Sequence, residues 1–374
     1  MAGPSVQPIV IWFGRVGDLI LMSALLEILR RRYGSPCHLI GAGSWLAQLY
    51  ATHPDVARVS CLRRYTAWLF DPAWWRTRRA LRASGGAPVY VCETDPRKLA
   101  RIQRLLSSSA IAPGRCLYIA PHATPASAHW VDRLVGFGRL TPPAFNAVDY
   151  PWPTPAPRAA PLLEVSPAAR ADCTAWLHRQ GWGEQPLVLV QPGNRRTMRG
   201  RSLRLSAADD KAWPLQRWAQ LLHHLHRHLP QARIILCGAP REKLLLKWIA
   251  AETQLAAVTP AQLPLPRLLG LCERAHSMVS VDTGPAHAAA ALSLPLVVLF
   301  GAHSQGEWLP RSPSGSQVLG VGGPPYSERL EQISVDTVFA AWCALNGRQR
   351  PPPAGAGACT AAALTSPAAR ATAP

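Results

Sequence analysis

The sequence predicts an α/β protein with two parallel-sheet halves that face each other across a cleft. A length of 374 residues is enough for two or three domains, and apolar strands alternate with helical patterns along most of the chain. Residues 141–169 interrupt this alternation with a dense set of prolines, which exclude a regular helix or a central strand. Ligands of open α/β sheets bind beyond the carboxyl ends of the strands, so each half is expected to form one wall of a cleft.

Composition excludes several classes of protein. A hydrophobic share of 48% excludes a chain that is disordered throughout. No apolar run approaches the roughly 20 residues that span a bilayer, and the short apolar run near the N-terminus lacks the basic flank of a signal peptide. The nine cysteines are odd in number and form no CxxC, so we expect neither a zinc site nor a disulfide framework. This cysteine usage predicts that the protein works in a reducing cytoplasm.

The charge balance is strongly basic, at +19, and 36 of the 40 basic residues are Arg. One interpretation is a polyanionic partner: nucleic acid, an anionic membrane surface or a phosphorylated glycan. The other is a GC-rich genome, whose codons favour Arg, Ala and Pro. Total charge does not separate the two, so local clusters must decide.

Seven apolar segments have the composition of buried strands, with helical patterns between many of them. The predicted strands are Ile9–Phe13, His38–Gly41, Pro88–Cys92, Leu187–Gln191, Arg233–Cys237, Met278–Val281 and Leu296–Phe300. The predicted helices include Leu19–Tyr33, Trp218–His228 and Glu242–Glu252. We therefore divide the chain into a first α/β half (1–150), a proline-rich linker with a connecting helix (151–185), a second α/β half (186–330), a C-terminal helix (331–347) and a Pro/Ala-rich tail expected to be disordered (348–374).

The first motif, FGRVGD, follows the first predicted strand. Gly14 and Gly17 form a tight loop there, and a helix begins near Asp18. The Asp18 side chain is either a helix cap or a carboxylate that faces the cleft as a general base. The glycines do not match GxGxxG, so a dinucleotide fingerprint is not supported.

The second motif, SVDTGPAH, follows the strand Met278–Val281 and opens a helix. Pro285 lies in the first turn, where proline is tolerated, and His287 follows in the same turn. The unpaired N–H groups and the dipole of such a helix end attract phosphate. The alternative is a well-capped buried helix.

Two further motifs are basic. In DDKAWP, Lys211 is one of only four lysines, which favours a compact ammonium on a phosphate over a simple surface charge. Residues 61–82 interleave arginines with aromatic residues, a pattern typical of a membrane interface, a phosphorylated sugar site or a nucleic-acid site. An amphipathic surface helix explains this segment equally well. Its arginines are Arg63, Arg64, Arg76, Arg78, Arg79 and Arg82.

The order and spacing of these motifs resemble those of glycosyltransferase family 9, the bacterial ADP-heptose:lipopolysaccharide heptosyltransferases. The resemblance runs from about Ile9 to Leu345 and is strongest at GD after the first strand, DDKAWP, GAPRE, SVDTGPAH and AAALSLPLVVLFG. LRRYTAWLF resembles the acceptor-side segment of the enzyme that adds the first inner-core heptose. The resemblance implies a GT-B fold, in which two Rossmann-like domains face each other across a cleft. The first domain would bind the acceptor and the second the donor, and transfer would be inverting and metal-independent.

The resemblance also implies roles for individual residues. Asp18 would be the general base that takes the proton from the acceptor hydroxyl, and Lys211 would hold the donor diphosphate. Glu242 would contact the ribose and Leu263 would lie near the base, while Arg63 and Arg64 would meet an anionic acceptor. The full donor set implied is Ser206, Lys211, Glu242, Leu263, Asp282, Thr283, Gly284 and His287.

The partners implied by the resemblance are a nucleotide sugar, with ADP-heptose as the leading donor, and an anionic lipid-linked glycan acceptor such as Kdo-lipid A. The protein would be cytoplasmic and peripheral to the inner face of the bacterial inner membrane. No cofactor, no metal ion and no nucleic acid are expected. The basic charge suits a phosphorylated, carboxylate-bearing acceptor at an anionic leaflet.

Some features depart from the family pattern and leave alternatives open. A long basic insert, residues 194–210, precedes Lys211, and the hydroxyl pair expected just before that lysine is reduced to Ser206 followed by Ala207. Residues 91–98 (VCETDPRK) do not follow the common family pattern, which points to a different acceptor. A family 9 transferase with another nucleotide-sugar donor, an inactive nucleotide-sugar sensor and a basic nucleic-acid-binding protein are the alternatives.

Overall fold

The computed structural model describes residues 4–63, 70–120, 128–194, 197–199, 202–203 and 212–347. Within these ranges the chain forms two parallel β-sheets, each covered by helices. The predicted α/β class is therefore confirmed. The tail 348–374, predicted to be disordered, lies outside the described residues.

The N-terminal half has a five-stranded parallel sheet in the order β3-β2-β1-β4-β5. The chain runs from β1 outward to β3, then crosses back to β4 and β5, so right-handed connections place α1–α3 on one face and α4 and α5 on the other. Its elements are β1 (Ile9–Trp12), α1 (Val16–Leu21), α2 (Ser23–Tyr33), β2 (Cys37–Ala42), α3 (Trp45–Tyr50), β3 (Val56–Leu62), α4 (Pro72–Arg82), β4 (Val89–Val91), α5 (Pro96–Ser108), β5 (Cys116–Tyr118) and α6 (Trp130–Arg139).

Alternate side chains of β1 supply the two cores of this half. Val10 and Trp12 pack in a cluster with residues of α1, α2 and α3. Ile9 and Ile11 point to the opposite face and pack in a cluster with Trp74 of α4 and residues of α5. The central strand is thus buried on both faces, as a parallel sheet requires.

The C-terminal half has a six-stranded parallel sheet in the order β10-β9-β6-β11-β12-β13, and β7 and β8 form a separate antiparallel pair. A helix follows the proline-rich stretch and precedes the first strand. The elements are α7 (Pro167–Arg179), β6 (Leu187–Gln191), β7 (Met198–Arg199), β8 (Ser202–Leu203), α8 (Leu215–His228), β9 (Arg233–Gly238), α9 (Lys243–Thr253), β10 (Val258–Gln262), α10 (Leu265–Arg274), β11 (Ser277–Val281), α11 (Gly284–Ala291), β12 (Leu296–Phe300), α12 (Gln305–Trp308), β13 (Val318–Gly322) and α13 (Val335–Cys343).

The two halves share one apolar core. Leu269 of α10 and Ala288 and Ala291 of α11 belong to the same buried cluster as residues of α1, α2 and α3. The backbone N–H of Leu163 donates to the carbonyl of Ala291, 3.3 Å away, which ties the connecting segment to α11. The junction between the two halves is therefore a packed apolar contact. It lies on the face of the first sheet that α1–α3 cover.

All seven predicted strands are present, with ends shifted by at most one residue. Other elements differ from the prediction. The single predicted helix 19–33 is two helices, α1 and α2, which meet at Met22. None of the four edge strands was predicted. β3 exposes Ala57 and Arg58, and β10 contains Pro260, which an edge strand tolerates. β5 has only 3 residues, and most of β13 is half-buried.

Candidate active site

The loops that follow β1 and β11 meet where the two halves join. Both strands lie in the interior of their sheets, and the first turn of the helix that follows each strand has a glycine at the contact. A Cβ atom built on Gly284 would lie 3.2 Å from the backbone nitrogen of Gly17 and 3.2 Å from Cβ of Val16. The structure therefore brings the FGRVGD and SVDTGPAH motifs, which are more than 260 residues apart in the sequence, into direct contact.

Asp18 lies in the first turn of α1, beyond the carboxyl end of β1. Its Oδ2 accepts a hydrogen bond from the backbone N–H of Arg15 at 2.7 Å, so the side chain caps the helix. A Cβ on Gly14 would lie 2.6 Å from Cβ of Asp18, which explains why a glycine precedes this turn. The carboxylate is half-buried at the edge of the sheet. Asp18 therefore caps α1 and at the same time lies at the edge of the sheet where the cleft is expected.

The SVDTGPAH segment turns directly from β11 into α11. The backbone N–H of Asp282 donates to the carbonyl of Leu299 at 3.1 Å, which extends the sheet by one bond before the turn. Thr283 is the N-cap residue with extended backbone angles, and Pro285 occupies the first turn. Asp282 and His287 are both buried. A Cβ on Gly17 would lie 3.3 Å from Cδ2 of His287, so this imidazole borders the contact between the halves.

Glu242 and Leu263 follow neighbouring strands of the second sheet, β9 and β10. The buried Glu242 carboxylate accepts a hydrogen bond from the backbone N–H of Ala239 at 2.8 Å and a longer one, 3.4 Å, from Nε2 of Gln191. Burial raises the pKa of the Glu242 carboxyl above its ordinary value. The backbone N–H of Leu263 donates to the carbonyl of Gly238 at 3.0 Å.

The QPGN loop after β6 lies between these residues and Asp282. A Cβ on Gly193 would come within 2.6 Å of Oε1 of Glu242, so only a glycine leaves room for the carboxylate. The strand order β10-β9-β6-β11 therefore sets Leu263, Glu242, Gly193 and Asp282 along one edge of the sheet. Asp18 adjoins the β11 end of this row through Gly17.

Arg63 lies apart from this row, just after β3 at the far edge of the first sheet. Its side chain is exposed, and its backbone is held on both sides: the N–H donates to Oδ2 of Asp71 at 2.8 Å, and the carbonyl accepts from Arg101 at 2.9 Å. The remaining predicted site residues, Arg64, Ser206 and Lys211, lie outside the described residues, as does most of the insert 194–210.

The structure adds a cluster at the carboxyl end of β4 that was not among the predicted site residues. Oε1 of the buried Glu93 accepts from the backbone N–H groups of Thr94 and Asp95, and it lies 3.6 Å from Nζ of Lys98. Arg101 covers the ring of Phe13, 5.7 Å from its centroid. The departure of residues 91–98 from the family pattern was the available signal for this cluster.

Among the described residues, no helix is both long enough and apolar enough to cross a membrane. In the same part of the chain, no three side chains from His, Cys, Asp and Glu are grouped so that they would hold a metal ion.

Comparison with known proteins identifies relatives. Residues 108–336 match the model of a family described as "Glycosyltransferase family 9 (heptosyltransferase)". No curated protein sequence gives a significant match. Among solved structures, a family 9 glycosyl transferase from Veillonella parvula DSM 2008 is similar, with a TM-score of 0.69 and 16% identity over 91% of this chain and 97% of that one.

Two Escherichia coli structures are similar as well. ADP-heptose lps heptosyltransferase II has a TM-score of 0.65 and 19% identity over 91% of this chain and 98% of its own. Heptosyltransferase WaaC with ADP has a TM-score of 0.64 and 20% identity over 90% of this chain and 98% of its own. These likenesses show the fold, which is GT-B, as the motifs predicted.

Proposed function

Because this chain belongs to glycosyltransferase family 9, we propose that it is an inverting, metal-independent transferase that moves heptose from ADP-heptose onto an inner-core lipopolysaccharide or related surface-glycan acceptor. The observation that carries the proposal is the contact between Gly17 and Gly284. It sets the one first-turn carboxylate of α1 beside the helix end that would hold the donor.

In the proposed reaction, Asp18 takes the proton of the acceptor hydroxyl as the hydroxyl oxygen attacks the anomeric carbon of the donor. The bond from that carbon to the diphosphate oxygen breaks, and the nucleoside diphosphate leaves with the bonding electrons. An inverting displacement needs only one base, on the face opposite the leaving group, so Asp18 suffices. The hydrogen bond from the Arg15 N–H to Oδ2 fixes the orientation of this carboxylate.

The leaving diphosphate gains negative charge as the bond breaks, and nearby positive charge is needed to stabilise it. Lys211 would supply a point charge, and the N-terminus of α11, with Thr283 and Gly284, would supply oriented N–H groups. Glu242 would accept hydrogen bonds from ribose hydroxyls, and Leu263 would pack beside the base. Asp282 and His287 would border the sugar end, because His287 lies against Gly17 of the first half and Asp282 precedes the same helix N-terminus.

The proposed donor, ADP-heptose, is inferred from the similarity of this chain to solved structures of other proteins. Of the E. coli structures that share the fold, one of heptosyltransferase WaaC is with ADP and a second WaaC structure is with ADP-2-deoxy-2-fluoro heptose. The reduction of the expected hydroxyl pair to Ser206 alone is a specific reason to consider a second candidate, a family 9 transferase with another nucleotide sugar. Arg63 and Arg64 would pair with acidic groups of the acceptor in either case.

The test is thermal stabilisation of the purified protein by ADP, UDP, GDP and CDP, each with Mg²⁺ and with a chelator. A ligand at about 100 times its dissociation constant adds about 2.7 kcal/mol to the free energy of unfolding. Selective stabilisation by ADP that is equal with and without Mg²⁺ supports the proposal. A preference for another nucleotide selects the second candidate, and no response to any nucleotide overturns both.

A further inference from the structure

The outer layer of the N-terminal half is formed by α4 and α5, on the sheet face opposite α1–α3 and the C-terminal half. The two helices are linked at their ends, because Nε of Arg78 in α4 donates to the carbonyl of Ser108 in α5 at 2.7 Å. The α4–α5 face is defined here by Phe70 and the exposed side chains of both helices: Trp75, Arg76, Arg79, Arg82, Arg97 and Arg104.

Both helices are amphipathic, and their inner stripes account for their attachment to the sheet. Trp74, Thr77 and Leu81 of α4 are buried, as are Ile102 and Leu105 of α5. The exposed arginines at 76, 79 and 82 recur at helical spacing on the opposite stripe. Arg82 also donates to the carbonyl of Ser108 at 3.1 Å and adds to the link between the helices, whereas Arg76 and Arg79 lie exposed on the outer stripe.

The charge of this face has one sign. Segments 72–82 and 96–108 together contain eight basic residues and no acidic one, whereas the whole chain has 21 acidic residues beside its 40 basic ones. The acidic residues that precede the helices are engaged: Asp71 is buried, and Asp95 accepts the backbone N–H groups of Arg97 and Lys98. A codon bias toward arginine raises the total charge but does not remove acidic residues from two adjacent helices.

Exposed aromatic rings accompany the charge. Phe70 is 77% exposed and Trp75 is 43% exposed, which is unusual for side chains of this size. The guanidinium of Arg78 lies 5.3 Å from the centroid of the Trp75 ring. Large rings that enter the headgroup region, surrounded by arginines that pair with lipid phosphates, are the combination that holds a helix at an anionic membrane surface.

One end of the α4–α5 face lies at the edge of the first sheet where the acceptor is expected. Both helices begin at the carboxyl edge of the first sheet, the edge that carries Asp18, and the Asp71 carboxylate that caps α4 also accepts the N–H of Arg63. We propose that the α4–α5 face docks on an anionic lipid bilayer and presents the acceptor edge to lipid-linked glycans. This rests on the proposed function for the nature of the acceptor, but its measurement does not depend on catalysis.

The test is co-sedimentation of the full chain with vesicles of phosphatidylethanolamine and phosphatidylglycerol, and with phosphatidylcholine vesicles as the neutral reference. We expect binding to the anionic vesicles that weakens with salt. Arg76→Gln/Arg79→Gln/Arg104→Gln should weaken it on the order of 100-fold, since each basic residue near the surface contributes about fivefold. The control Arg179→Gln/Arg227→Gln/Lys247→Gln makes the same change in charge at exposed sites of the C-terminal half and should bind nearly as wild type.

A second pair of variants tests the aromatic contribution. Phe70→Ser/Trp75→Ser should weaken vesicle binding at high salt, where the arginines are screened, and Trp248→Ser, an exposed tryptophan on α9, should not. Equal losses in the test and control triples, or no binding to anionic vesicles, overturn the proposal. Binding to a single-stranded RNA oligonucleotide without binding to vesicles assigns the face to nucleic acid instead. Nucleotide-induced thermal stabilisation, measured on the same variants, separates any failure here from failure of the proposed function.

Discussion

Gly17 and Gly284 face each other backbone to backbone across the junction of the two halves. A Cβ on Gly284 would lie 3.2 Å from the nitrogen of Gly17, and a Cβ on Gly17 would lie 3.6 Å from Cα of Gly284. Each glycine lies in the first turn of the helix that follows an interior strand of its own sheet. The geometry of the cleft therefore depends on the absence of two side chains as much as on the side chains that line it.

Gly284→Ala is expected to destabilise the protein by about 1–3 kcal/mol and to lower the rate of transfer, because the new methyl group can be accommodated only if α1 moves away from α11. Gly136→Ala is the control, since its Cβ would meet no atom within 4 Å and lies in the interior of α6. That change should stabilise by about 1 kcal/mol. Equal melting temperatures for the two variants would show that α1 and α11 can separate enough to accommodate the methyl group without loss of stability.

Asp18→Asn is expected to reduce transfer about 10²- to 10⁴-fold and to leave nucleotide affinity nearly unchanged, because the base acts on the acceptor. Asn retains an oxygen that can accept the Arg15 N–H, so the helix cap is preserved. Asp336→Asn, in the first turn of α13, is the matched control and should transfer normally. Near-normal turnover in the Asp18 variant would remove this residue from the mechanism. Steady-state transfer and calorimetric titration with ADP are the measurements.

Glu242→Gln is expected to change how stability depends on pH. Burial raises the pKa of this carboxyl in the folded state, so the folded protein binds more protons than the unfolded chain over the interval between the two pKa values. Wild-type stability therefore falls as pH rises through that interval, and the variant lacks this loss. The melting temperature of the variant should therefore gain on that of wild type as pH rises from about 4, the ordinary pKa of a glutamate carboxyl, toward neutrality. A difference between the two melting temperatures that does not change with pH would contradict this assignment.

Lys211→Ala is expected to weaken the binding of nucleoside diphosphate about 10- to 100-fold, which is the range for a hydrogen bond to a charged group. Binding of the corresponding nucleoside, which has no phosphate, should change little. Lys247→Ala, an exposed lysine on α9, is the control. If ADP affinity survives the Lys211 substitution, another cation holds the diphosphate. Isothermal titration with ADP and adenosine distinguishes these outcomes.

Asp132 of α6 and Arg311 form a two-point ion pair between the halves, with both N···O distances at 2.7 Å. The Arg311 hydrogen bond lowers the pKa of the Asp132 carboxyl, so its stabilisation is present at neutral pH and is lost as pH falls through the lowered pKa. A double-mutant cycle with Asp132→Asn and Arg311→Gln should give a coupling of about 0.2–1 kcal/mol at pH 7, because both groups are partly exposed. The coupling should vanish in strong acid, and a coupling that is independent of pH would contradict this assignment.

The sequence was most informative where strands are buried on both faces. Leu187–Gln191 and Leu296–Phe300 were predicted to the residue, because a continuous apolar run between turn signals has few other interpretations. β3 was missed because it is an edge strand and its exposed residues break the apolar pattern. The bend at Met22 was missed because the apolar periodicity of α1 and α2 is continuous across it.

The individual motifs of the candidate site could be predicted from the sequence, but the contact between them could not. Strand-end motifs singled out Asp18 and Asp282 because the physics of helix N-termini is local. The meeting of Gly17 with Gly284 depends on how two sheets pack through α1 and α11, and no local pattern encodes that. The Glu93 and Arg101 cluster depends on the register of β4 with β1, which is likewise a tertiary property.

The shared core of α1, α2, α10 and α11 has a consequence for how the protein is made. The first half contributes apolar side chains such as Leu19 and Leu25 to a cluster that also requires Leu269 and Ala288. During synthesis the first half leaves the ribosome well before those partners exist, with part of its core uncovered. Completion of that core must await the second half, so the first half does not reach its full stability until the second half has been made.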